Sequence, residues 1–135
     1  IVNSKYMLAK KYNIKLNASI NIPMLLPFES GDISVLLGNI LDNAIEASMS
    51  LTNEMKVIEL TITYDKNILV IVCSNNYLGN LVKNKRGVLM SSKEDYNNHG
   101  FGLRSINKIA EKYHGAATID YSESKFILKV ILCNL

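Results

Sequence analysis

Between Leu36 and Ser48 the chain reads Leu-Leu-Gly-Asn-Ile-Leu-Asp-Asn-Ala-Ile-Glu-Ala-Ser, and no other stretch limits the possible folds as tightly. At about 100° per residue, Ile33, Leu36, Leu37, Ile40, Leu41, Ala44 and Ile45 fill one broad side of a helix. A stripe that wide has to be buried against a second layer of structure. Asn39, Asp42, Asn43 and Glu46 share an arc of roughly 100° on the other side. Asn and Asp are poor helix-interior residues, because their short side chains compete for backbone hydrogen bonds. The polar face is therefore either a plain solvated exterior or an oxygen-rich surface suited to a hard cation and phosphates.

The rest of the chain supplies the second layer. Val2 to Tyr12 has the pattern of a short helix. Ile14, Leu16, Ala18, Ile20 and Ile22 alternate with Lys15, Asn17, Ser19 and Asn21, which predicts a half-buried strand. Pro23 and Pro27 bracket an irregular link, and Ser30, Gly31 and Asp32 offer N-cap chemistry to the long helix, which runs to about Ser50. Ile58, Leu60, Ile62 and Tyr64 alternate with Glu59, Thr61 and Thr63, before a tight turn at Asp65-Lys66-Asn67. Ile68 to Ser74 is apolar on both faces and so reads as a central strand. Gly100 to His114 is helix-like, with Leu103, Ile106, Ile109 and Ala110 on one stripe; Ala116–Tyr121 and Lys125–Cys133 form a closing hairpin. This order predicts an α+β two-layer sandwich: one mixed, mostly antiparallel sheet of about five strands, covered on one face by three helices.

At 135 residues, positions 1–135 are expected to form a single domain, and 48% apolar content suffices for its core. The longest strongly apolar run, Ile68 to Cys73, falls far short of the ~20 residues of a membrane helix. No signal-peptide pattern opens the chain, which begins at Ile1 and looks like an excised fragment. Cys73 and Cys133 lie in strand-like runs without CxxC spacing, as buried free thiols of a reducing compartment would. A net charge of +3, gathered partly at Lys83, Lys85, Arg86 and Lys93, is too sparse for nucleic acid. A local anionic ligand suits it better.

Three segments carry chemistry. The first is the Asn-rich helix face, whose side-chain carbonyls are neutral ligands for a Mg²⁺ ion otherwise held by water and phosphate oxygens. The second is Val72-Cys73-Ser74-Asn75-Asn76, where a buried strand ends in carboxamides able to donate and accept. The same two residues also suit a plain turn. The third is Ser91-Ser92-Lys93 followed by His99-Gly100-Phe101-Gly102-Leu103-Arg104 at a helix start, where unpaired N–H groups favour phosphates. Between the second and third lie the 24 residues Asn75 to Asn98, polar and without sustained period apart from a possible helical turn near Tyr77 to Lys83. A loop of that length reads as a lid.

In this order the segments resemble the N, G1 and G2 boxes of the GHKL ATPases, a superfamily that includes histidine kinases and gyrase. More narrowly, the chain resembles the catalytic and ATP-binding domain of peptide-pheromone sensor histidine kinases of the accessory-gene-regulator and competence type. Leu37 to Ala47 is similar to their N box, Ser91-Ser92-Lys93 and His99 to Ile106 to their lid end and G2 box, and Lys112-Tyr113-His114-Gly115 also fits. The likeness spans essentially the whole chain.

The resemblance implies a Bergerat-type fold binding ATP and Mg²⁺. It makes Asn43 the metal ligand, places Asn39 beside the phosphates and gives Asn75 the adenine-reading position. Lys93 would reach the triphosphate from the lid, His99 would stand at the lid hinge, and the amides from Gly100 through Gly102 to Leu103 would cradle phosphate. Asn39 and Lys93 are thus the candidate catalytic residues. The G1 box departs from the broader pattern: where Asp-x-Gly-x-Gly is common, the chain has Asn75-Asn76-Tyr77-Leu78-Gly79, so only the second glycine, Gly79, survives. Asn for Asp removes a charge, so weak affinity and looser base discrimination are expected. Glu46 has no assigned role. Neither His99 nor His114 suits a phosphoacceptor; the resemblance puts that histidine on a dimerisation domain, absent here like the sensor domain.

The expected function is therefore γ-phosphate transfer from Mg·ATP to that histidine, for quorum-sensing signalling. A response regulator is the downstream partner, the parent kinase a membrane-anchored homodimer, and this piece its cytoplasmic part without membrane contact of its own. Two alternatives follow from the same boxes. One is a degenerate GHKL module acting in dimerisation or regulator docking. The other is a serine kinase of the anti-sigma-factor type, although such kinases commonly carry a carboxylate where Asn39 stands.

Overall fold

In the computed structural model, which describes residues 2–77 and 101–135, hydrogen bonds run through one five-stranded sheet. The elements are α1 (Val2–Lys11), β1 (Lys15–Asn21), α2 (Ser30–Ser48), a short 3-10 turn (Asn53–Met55), β2 (Val57–Asp65), β3 (Ile68–Asn76), α3 (Phe101–Lys112), β4 (Ala116–Tyr121) and β5 (Lys125–Cys133). Across the sheet the strands run β1-β2-β3-β5-β4. Only β1 and β2 are parallel; the other neighbours are antiparallel. This is the mixed sandwich the sequence predicts, with β3 at its centre.

Alternation explains the layering. Leu69, Ile71 and Cys73 of β3, Ile58, Leu60 and Ile62 of β2, and Leu128, Val130 and Leu132 of β5 are buried on one face. Onto that face α2 sets Leu36, Leu37, Ile40, Leu41, Ala44 and Ile45, and α3 sets Leu103, Ile106, Ile109 and Ala110. The cysteines are free: Cys73 is buried and Cys133 half-buried. They sit five ladder positions apart on β3 and β5, on opposite faces of the sheet.

Two local expectations need correction. In β1 only Leu16 is buried; Ala18 and Ile20 are exposed, as is Ile22 beyond it. The strand lies at the sheet edge, and ten residues of α1 span about 15 Å against about 23 Å for seven strand residues, too little to cover it. At the start of α2, Glu29 occupies the cap position without a side-chain cap bond, and Ser30 is already helical. Asp32 is spent elsewhere.

It is spent on α3. Lys112 Nζ donates to Asp32 Oδ2 at 2.8 Å, and Tyr113 Oη donates to the same oxygen at 2.6 Å. The Glu29 backbone N–H donates to Tyr113 Oη at 3.1 Å, while the Tyr113 ring meets Phe28 edge-on at 5.0 Å. The first turn of α2 is thereby clasped to the last turn of α3, so the two helices run antiparallel.

Beyond the clasp, α3 ends in a Schellman pattern. His114 takes the left-handed conformation (φ 59°), its N–H donates to Glu111 O at 3.1 Å, and the Gly115 N–H donates to Ala110 O at 2.8 Å. Gly115 then passes so close to β5 that a Cβ there would lie 1.7 Å from Ile131 O. Gly115→Ala should therefore cost about 3 kcal/mol of stability through overpacking, read as a fall in the urea midpoint at unchanged m-value.

Candidate functional site

The chain direction decides which residues meet. After α2, the 3-10 turn leads into the start of β2, where Ile58 pairs with Asn75 at the end of β3. Asn76 Nδ2 donates to Met55 O of that turn at 2.9 Å. The C-terminal part of α2 and the C-terminal end of β3 thus share one end of the sheet. Because α3 is antiparallel to α2, its first turn reaches that end too. At 1.5 Å per residue, eleven residues forward from Asp32 and eleven back from Lys112 each cover about 16.5 Å, which brings Asn43 and Phe101 to one level.

Rotation agrees with level. Asn39 and Asn43 lie seven and eleven positions after Asp32, hence within about 20° of its direction on the helix wheel. Asp32 faces α3, so both asparagines, half-buried, stand on the flank of α2 nearest that helix. Asp42 points about 80° away and pairs with Lys5 of α1 at 2.5 Å. The polar arc is consequently divided: Asp42 ties α1 to α2, Glu46 is exposed, and the two asparagines remain at the α3 side.

Asn75 occupies the helix-covered face, only 3% exposed. Its Nδ2 donates to Asn76 O at 2.9 Å, which engages one of its two N–H groups with the strand's own backbone. Phe126, opposite Asn75 on β5, stacks on Tyr121 and meets Tyr77 edge-on. Tyr77 Oη donates to Ser122 O, and burial, followed by the neighbouring Tyr121 and Glu123, raises its phenol above the ordinary range. This aromatic group beside Asn75 is not apparent in sequence, where its members lie 44 or more residues from Tyr77. The clasp of Asp32, Lys112 and Tyr113 is equally hidden, for nothing local couples residues 80 positions apart.

Asn43 and Asn75 are brought towards one end of the domain together with the first turn of α3, which contains Gly102 and Leu103, while Asn39, at the middle of α2, lies about one turn back on the same flank. Leu103 is buried, so its contribution there would be its backbone amide. Gly79, Lys93, His99 and Gly100 lie outside the described residues, as does most of the expected lid. Among the described residues no three His, Cys, Asp or Glu side chains converge as a metal cluster. The Asn43 side-chain oxygen is a neutral donor of the kind that shares a divalent cation with phosphate and water oxygens.

A GHKL domain matches residues 28–133. The chain belongs to that family. This GHKL domain also shares its fold with solved histidine kinases. It is similar to the Acinetobacter baumannii histidine kinase AdeS, with 15% identity and a TM-score of 0.66, covering 98% of this chain and 62% of that one. It is similar too to the catalytic domain of the histidine kinase ThkA in a nucleotide-free form, with 18% identity and a TM-score of 0.69, covering 98% and 88%. The GHKL chain thus spans under two thirds of the length of the AdeS structure. No curated protein matches it in sequence. Among its described residues no helix is long and apolar enough to cross a membrane.

Electrostatics at the far end of the GHKL domain set a pH dependence. Hydrogen bonds from Lys112 and Tyr113, opposed by burial, hold the Asp32 carboxyl below its ordinary range. Asp32 in turn pushes Lys112 up to about 12. An acid whose folded value is lowered stabilises the fold above its unfolded value, here about 3.9, and loses that contribution as pH falls through the lowered one. Asp32→Asn should therefore be less stable than wild type at neutral pH, the difference shrinking as pH falls below about 3.9, as urea midpoints across that range would record.

Proposed function

We propose that residues 1–135 form the catalytic and ATP-binding domain of a sensor histidine kinase, which presents the γ-phosphate of Mg·ATP to a histidine on a separate dimerisation domain. One observation supports this above the rest: Asn43, Asn75 and the first turn of α3 come from three separated parts of the chain and share one end of the sheet. Each group offers what a purine triphosphate needs. The α3 amides and helix dipole attract phosphates, Asn43 and Asn39 offer oxygens and amide donors beside them, and Asn75 meets the base.

The chemistry asks little of the chain beyond placement. Phosphoryl transfer is governed by positioning and charge neutralisation. Mg²⁺ would draw charge from the phosphate oxygens while Asn43 holds the ion in place. Lys93 and the α3 amides would add to that neutralisation. The acceptor imidazole attacks phosphorus through its own lone pair; the new P–N bond forms as the bond to the bridging oxygen breaks and ADP leaves. No general base of this chain is needed.

Asn75 sets the base preference. With one N–H bound to Asn76 O, Asn75 keeps a second N–H donor as well as its side-chain oxygen. The exocyclic amino group of adenine donates to such an oxygen, whereas guanine presents a carbonyl there. The second N–H can serve the guanine carbonyl, in keeping with looser base discrimination than an Asp would give.

The finer reading is also a proposal. The parent would be a membrane-anchored homodimer of the peptide-pheromone class in quorum sensing, with a response regulator downstream and this domain on the cytoplasmic side. Titration of the domain with ATP, ADP and GTP, with and without Mg²⁺, tests the site. ATP is expected to bind more tightly than GTP by less than about tenfold, a margin below about 1.4 kcal/mol. Asn43→Ala should remove most of the Mg²⁺-dependent part of the ATP affinity. Addition of a histidine-bearing dimerisation domain and labelled ATP should give acid-labile phosphate on that domain. Acid-stable phosphoserine on another protein would favour the serine-kinase alternative, and no nucleotide binding at all the inert module.

A further inference from the structure

The clasp lies about 16.5 Å, three helical turns, from the level of Asn43, yet it bears on the site. We propose that Asp32 and Tyr113, with Lys112, are positioning residues that fix the sliding register of α3 along α2 and so hold the first turn of α3 beside Asn43. The functional part of the inference rests on the nucleotide reading given above.

The apolar seam cannot set that register alone. Leu103, Ile106, Ile109 and Ala110 follow 3- and 4-residue spacing, as do Leu36, Leu37, Ile40, Leu41 and Ala44 of α2. Such ridges fit similar grooves after a slide of about one turn, 5.4 Å. The Cys133 N–H bond to Tyr113 O at 2.9 Å ties the end of α3 to β5, and the clasp breaks the degeneracy along α2, because hydrogen bonds demand distance and direction. Tyr113 Oη both donates to Asp32 Oδ2 at 2.6 Å and accepts from the Glu29 N–H at 3.1 Å, while its ring is wedged against Phe28. Lys112 Nζ reaches Asp32 at 2.8 Å and Glu29 Oε1 at 3.4 Å. The Asp32 side chain is 22% exposed, so water competes for it only in part. Sliding α3 by one turn would forfeit all four hydrogen bonds of the clasp together.

Tyr113→Phe is the test, since it keeps the ring against Phe28 and deletes both hydroxyl bonds. Amide resonances and Mg·ATP affinity are measured far below the unfolding temperature, where both proteins are fully folded. The expected result is displaced amides at Leu103 to Ser105 and at Ile40 to Ala44, with affinity lowered about three- to tenfold. Asp32→Asn, which keeps the volume and removes the charge, should move the same amides. A role in stability alone would lower the melting temperature and leave both readouts untouched. Unmoved amides in the two variants, or moved amides with unchanged affinity, overturn the proposal. If the wild-type domain itself binds no nucleotide, it is the nucleotide reading that fails, and the amides alone decide whether the clasp sets the register.

Discussion

Burial of the apolar side of α2 against the centre of the sheet is the constraint from which the remaining geometry follows. Leu36, Ile40, Leu41 and Ile45 are almost wholly enclosed, and at about 25 cal/mol per Å² of apolar surface each such side chain stabilises the fold by roughly 1.5–3 kcal/mol. Rotating the helix by a quarter turn would expose several of them at once. The same packing that makes the core therefore aims the polar arc. Asn39 and Asn43 lie on the flank nearest α3 because the apolar side of α2 is turned into the core.

A second consequence concerns division of labour between the two ends of the domain. At one end lie the β2–β3 turn, the α2 start, the α3 finish and Gly115; at the other lie Asn43, Asn75, the aromatic trio and the α3 start. The first end is stitched by tight, specific contacts, among them left-handed Lys66 and Asn67 in a two-residue turn between β2 and β3. The second end presents carboxamides and helix amides, groups whose hydrogen-bonding capacity suits a polar ligand. A rigid scaffold at one pole with chemistry at the other is how α/β layers commonly hold ligand-binding groups in place.

Much of this was legible in the residues, and the reasons differ from element to element. Alternation disclosed β2, a run apolar on both faces disclosed β3, and the 3.6-residue period disclosed α2, because those elements sit in the middle of the layers, where burial follows the pattern closely. The same logic misjudged β1: Ile20 alternates perfectly, but a sheet edge under a short helix gives it nothing to pack against. Asp32 looked like a capping residue because Asp near a helix start usually is one; a lysine and a tyrosine 80 and 81 positions later claimed it instead. The asparagines of α2 were visible as a group, but that Asp42 turns towards Lys5 depends on where α1 docks, which no local pattern encodes. Likewise the bond from Asn75 Nδ2 to Asn76 O depends on the strand's own backbone geometry rather than on composition.

The central claim is that separated segments build one nucleotide site at the Asn43 end of the sheet. Paramagnetic relaxation by Mn²⁺·ATP measures this directly, since broadening falls steeply with distance from the ion. Strong broadening is expected at amides around Asn39 to Asn43 and Gly102 to Ser105, with weaker broadening near Asn75 and none at the opposite pole around Lys66 and Gly115. Broadening centred on that opposite pole, or spread evenly over the domain, would contradict the claim.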